Sequence, residues 1–103
     1  IFDISESLVA INRYISRAYW KFGLLYDHQS RFEGVHVDVL TFISEPTQQA
    51  MATATASIDN ARQAMMSYRD ECAPSSIEYS AAHNVAHRYF ILKRDLVHCI
   101  SEA

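Results

Sequence analysis

Four short polar signals in this chain each stand directly before an apolar stripe of helical spacing. That pairing leaves room for little except an all-α fold. The signals are Asp3 with Glu6, Ser30 with Glu33, the Glu45-Pro46 step, and Ser75 with Glu78. An Asp or Ser side chain can accept a hydrogen bond from an otherwise unpaired amide of a first helical turn. A Glu three positions on can return the bond to the cap. Proline has no amide hydrogen to offer a preceding turn, but it fits the first turn of a new helix.

The first stripe is Ile4, Leu8, Ile11, Ile15, Ala18, Phe22 and Leu25. Its alternating steps of four and three keep every member on one face of a helix spanning 3–26. The same rhythm continues through Gln29, Phe32, His36, Val39 and Ile43, so one long helix is the rival reading. A break is favoured near Asp27–Ser30. There the Ser30…Glu33 capping box starts a new helix over 31–44, and Gly23 and Gly34 each weaken continuity by about 1 kcal/mol. A third helix, 46–72, carries Met51, Ala54, Ile58, Ala61, Met65, Tyr68 and Cys72 on its seam and ends before Pro74. A fourth, 76–101, carries Ala82, Val85, Tyr89, Leu92, Leu96 and Cys99. No strand pattern or internal repeat competes. The expectation is one helical domain over 1–103, a compact bundle of about four helices with short connections.

Half of the residues are apolar, enough to bury a core. The formal charge of −3 and pI near 5.9 argue against a nucleic-acid binder, which carries a basic stripe on a basic domain. No apolar run approaches the roughly 18–20 residues of a membrane span. The first residue is Ile1, which fits removal of a secretory leader.

Cys72 and Cys99 are the only cysteines, and both fall on seams. A structural disulfide in a secreted domain is the simplest use for them. A plain hairpin of the last two helices forbids it. Cys72 would sit beside the start of the fourth helix and Cys99 about 35 Å further on. Bridged Cα atoms must come within about 7 Å. An internal bridge therefore requires a departure from a plain up-and-down bundle, with the segment around Ala73–Ser80 running extended beside the fourth helix. A bridge between two chains and a pair of reduced core cysteines are the alternatives.

Chemical motifs are sparse. His83 and His87, four apart, share a helical face as zinc or copper ligands do, with Arg94 and His98 further along it. A guanidinium disfavours a cation there, and no nearby carboxylate completes a set. Glu33-x-x-His36 is half of a di-iron signature that needs a second copy and further carboxylates. No glycine-rich elbow or phosphate loop accompanies the serines and histidines. The expectation is a protein that is not an enzyme and has no metal or other cofactor. Five histidines offer a pH sensor, though surface positions account for them more simply. Met51, Met65, Met66 and the aromatic residues can line an apolar-ligand cavity or simply fill the core.

Second stripes are more informative. Arg13, Arg17, Trp20 and Leu24 lie opposite the first seam, with Val9 nearby. His83, His87, Phe90, Arg94 and Val97 lie opposite the fourth. A helix with two such sides is either central in the fold or meets a partner. Trp, Tyr and Arg are the types enriched at interface hot spots. These stripes are candidate partner-binding surfaces. A homodimer that buries them is the rival reading.

The helical reading, a length near 100 residues, the stretches Arg17-Ala18-Tyr19-Trp20-Lys21-Phe22 and Tyr79-Ser80, and cysteines confined to the C-terminal third carry a resemblance. In whole-chain character the chain resembles the anopheline mosquito salivary family that includes albicin and anophensin. The resemblance implies a secreted, non-enzymatic inhibitor of host defence. Its partner would be a component of the alternative-pathway C3 convertase of complement, or of contact activation. It assigns no site residues, because no motif aligns them. A structural or oligomerisation bundle, or a carrier of a small apolar ligand, is the alternative.

Overall fold

The computed structural model of the chain describes residues 4–22 and 25–102, without the side chains of 19, 21, 22, 26 and 99–102. It has four helices: α1 (Ile4–Phe22), α2 (Tyr26–Ser44), α3 (Gln48–Asp70) and α4 (Ile77–Glu102). There is no strand among the described residues. The molecule measures 42 × 23 × 21 Å, so the helices lie along its length.

Each helix packs on its neighbours in sequence, and α4 closes the ring against α1. The α2–α3 pair is joined side to side by the Ser57 hydroxyl, which donates to Asp38. Between α3 and α4, Lys93 Nζ meets Asp59 at 2.9 Å and Arg69 approaches His83 at 3.4 Å. Rising numbers on one helix meet falling numbers on the next, so the pair runs antiparallel. Between α4 and α1, Arg88 lies over Tyr14, while Ile77 and Ser80 flank Arg17 and Ala18. This is the plain up-and-down bundle that short connections favour. The expected departure from that arrangement is corrected.

The seams of α1, α3 and α4 are where the spacing puts them. Ile11, Ile15, Ala54, Ile58, Met65, Val85, Leu92 and Leu96 are fully shielded from solvent. Met51, Met66 and Tyr68 pack against this core, so the methionines fill space rather than frame a cavity. The α2 seam differs. Its buried members are His28, Phe32, Val35, Val39 and Phe42, while His36 and Ile43 are exposed. The rhythm carried on from α1 is one residue out of phase there.

The cause is the corner at Leu25. Its backbone adopts the left-handed conformation, φ 64°, and serves as the cap of α2 with no side-chain hydrogen bond. A non-glycine residue costs on the order of 1 kcal/mol there. Leu25 is 4% exposed, and burying a leucine contributes about 1.5–3 kcal/mol, so packing holds the conformation. The break thus falls before the expected Asp27–Ser30. The Ser30…Glu33 box lies inside α2 and starts nothing.

The other corners use side chains, each shifted slightly from its expected place. Thr47, not the Glu45-Pro46 step, caps α3, its hydroxyl accepting from the Ala50 amide at 3.0 Å. Ser76, not Ser75, accepts from the Tyr79 amide at 3.1 Å at the start of α4. Asp3 lies outside the described residues.

Candidate partner-binding faces

On α1, the residues opposite the seam are solvent-exposed: Val9, Arg13, Arg17 and Trp20, the last at 81%. Leu24 lies outside the described residues. A tryptophan buries most of its surface in a typical fold, so this degree of exposure is unusual. Neither Arg13 nor Arg17 forms an ion pair among the described residues. Beside them, Tyr14, Arg17 and Ala18 of α1 and Ile77, Ser80, Ala81 and Asn84 of α4 line a depression of about 210 Å³. The Arg88 guanidinium sits 5.6 Å from the Tyr14 ring centre, a cation–π distance.

His83, His87, Phe90, Arg94 and Val97 of α4 are also exposed, but they look the other way, towards α3. His83 stacks on Tyr79 and faces Arg69, and Phe90 lies under the Arg62 guanidinium at 5.4 Å. The two stripes therefore occupy opposite flanks of α4, and the fold does not join them into one surface. His83 and His87 gain no further ligand: no group of three His, Cys, Asp or Glu side chains converges among the described residues. The half-signature residues Glu33 and His36 line an α1–α2 groove of about 390 Å³ with Leu8, Val9, Asn12, Phe32 and Leu40. No helix among the described residues is long and apolar enough to cross a membrane.

Cys72 is a free thiol, and its sulfur donates to the Tyr68 carbonyl at 3.2 Å. α4 is continuous from Ile77 to Glu102, so position 99 lies about 33 Å beyond its first residue. That distance excludes the expected internal Cys72–Cys99 bridge. The Cys99 side chain is outside the described residues.

Titratable groups are perturbed in the interior rather than on these faces. Burial, with Arg31 nearby, pulls the His28 imidazole below its ordinary value, while Asp27 opposes the shift. The ring meets Tyr68 edge-on at 5.5 Å. Burial raises the Tyr68 hydroxyl, helped by Cys72 and Glu78. Burial also raises the fully enclosed Tyr89 hydroxyl far above the tyrosine range. These shifts belong to the core and frame no reactive constellation.

One apolar surface escaped the sequence reading. Val37, Leu40 and Ile43 of α2 are 62%, 45% and 46% exposed. The signal was present, because Phe32, Val35, Val39 and Phe42 already supply a complete helical seam and leave those three over. No protein-family model, curated protein or solved structure matches the chain.

Proposed function

We propose that the chain is a secreted, non-enzymatic binding protein that engages and inhibits a host defence protein, most specifically the alternative complement pathway at the C3 convertase. The observation that supports a binding role is the α1 outer face. There Trp20, 81% exposed, stands in line with the solvent-facing Arg13 and Arg17. These are the side-chain types that dominate interface energetics, and the bundle core does not use them. The choice of complement rests on the salivary-family resemblance and on nothing in the geometry.

The test is an alternative-pathway haemolysis assay with the purified chain. Dose-dependent protection of the erythrocytes is expected at micromolar protein. No protection in that range contradicts the proposal.

A second reading rests on the exposed Val37, Leu40 and Ile43 of α2: a homodimer joined through that helix. Light scattering behind size exclusion, with and without reductant, distinguishes it. A dimer that persists in reductant supports it, and a monomer at high concentration removes it. A dimer lost in reductant points to a cross-chain disulfide instead.

A further inference from the structure

The chain is acidic overall, yet one of its surfaces is poor in acid, with Glu6 in the first turn of α1 the exception. From Ser7 to Tyr26 there is no Asp or Glu, and from Tyr79 to Arg94 there is none. α1 and α4 pack directly against each other, so the fold lays these two stretches side by side. Arg13 and Arg17 stand four residues apart along α1, and Arg88 comes across from α4 to Tyr14. The nearest acids on α4 are engaged. Glu78 acts on Tyr68 of α3, and Asp95 is buried and paired with Arg94 at 3.2 Å. By contrast, α2 and its C-terminal cap carry Asp27, Glu33, Asp38 and Glu45. A chain of net charge −3 thus has a concentrated positive flank.

We infer that the α1–α4 flank, built on Arg13, Arg17 and Arg88 around the Tyr14 depression, docks an acidic segment of a partner protein. This inference rests on the proposed binding function and supplies the partner's chemistry. Successive arginines on one face of α1 stand about 6 Å apart along the axis, and α4 lies about 10 Å to the side. That area suits a few carboxylates on one short segment. Guanidinium groups take carboxylates in two-point contacts. The depression between Arg17 and Asn84, about 210 Å³, admits one acidic side chain, with Ser80 and Asn84 as further donors.

Apolar groups interleave with the cations and favour a protein over other polyanions. Trp20 and Ile77 border the flank at 81% and 54% exposure. A sulfated glycan would leave those side chains without contacts. An anionic membrane requires an insertable apolar helix face. The apolar face of α1 is committed to the core through Ile4, Leu8, Ile11 and Ile15.

Trp20 is the single tryptophan, so its emission reports occupation of the flank. The full chain is titrated with poly-L-glutamate and with a short Asp/Glu-rich peptide that also carries Leu and Phe. Phosphatidylserine vesicles and a heparin oligosaccharide are run in parallel. Both acidic peptides are expected to shift the emission saturably, the mixed one more tightly, and added NaCl is expected to weaken both. The charge reversal R13E with R17E should lower peptide affinity about tenfold or more, and E33K on α2 should leave it unchanged. A far-UV spectrum and melt confirm that each variant folds.

The inference is overturned by any of three results: no response to either peptide, an unchanged response after the reversal, or tighter binding of vesicles or heparin. It is also overturned if light scattering shows a dimer that R13E with R17E dissociates. Inhibition of haemolysis that survives R13E with R17E removes this inference and leaves the proposed function standing. Peptide binding without any inhibition does the reverse.

Discussion

α1 and α3 stand at opposite corners of the bundle and meet the core in the same way, but they show solvent very different surfaces. Both bury one seam: Ile4, Leu8, Ile11 and Ile15 on α1, Ala54, Ile58, Ala61 and Met65 on α3. Outward, α3 offers Ala52, Thr53, Ala56, Asn60, Gln63 and Ser67, all small or uncharged and exposed. α1 offers Val9, Arg13, Arg17 and Trp20. The fold requires only the seams. An outer face like that of α3 satisfies solubility without further content. An outer face like that of α1 leaves a large aromatic surface in water and needs a different reason, which we take to be a partner.

The comparison can be broken first at the seams, where the largest effects lie. Ile15→Ala and Ile58→Ala should each cost about 2–5 kcal/mol in urea unfolding, because each empties a fully enclosed site. Similar losses on the two helices would confirm that their inner faces do equivalent work. A loss confined to one would show that the other seam is dispensable.

Corner chemistry comes next. Thr47→Ala removes the cap that accepts from Ala50 and should cost about 1 kcal/mol. The α1–α2 corner has no such bond to lose, because Leu25 holds it by burial.

A smaller effect depends on pH. His28 is held below its ordinary value of 6.5, so the folded state favours the neutral ring. The unfolded chain binds this proton more readily. The stability His28 contributes is therefore complete above pH 6.5 and is lost as pH falls from there through its depressed folded value. His28→Phe keeps a ring against Tyr68 and cannot titrate. Its melting temperature should exceed that of the parent chain most at pH 5, with the gap narrowing towards pH 8. A gap of constant size would show that packing, not protonation, sets the difference.

The smallest effect is the most telling. Trp20→Ala with Arg17→Ala should move stability by no more than about 0.5 kcal/mol, as for surface positions generally. A large loss would place the α1 outer face in the fold and end the contrast with α3.

How much could be read in advance follows the same division. The α3 seam was legible residue by residue, from Met51 to Tyr68, because periodicity reports burial directly and Pro46 and Pro74 bound the segment. α2 was legible as a helix but not in its phase. Its rhythm was extrapolated from α1 across Leu25, and a left-handed leucine leaves no mark in spacing. The capping signals located the last two starts to within a residue or two, since Thr47 and Ser76 lie beside equally plausible caps. The outward stripes were visible as patterns. That the two lie on opposite flanks of α4 depends on which helix neighbours which, and that is a tertiary fact. The acid-poor character of the α1–α4 flank was present in the order of residues, but it acquired meaning only once α4 was known to close the ring against α1.

The central claim is that the outer face of α1 serves a partner and not the fold. The most direct test applies Trp20→Ala with Arg17→Ala and measures two quantities on one preparation: the urea unfolding free energy and inhibition in the alternative-pathway haemolysis assay. An unchanged unfolding midpoint is expected together with a loss of inhibition of about tenfold or more, as befits hot-spot residues. Full inhibition by a stably folded double variant, or collapse of the fold, would contradict it.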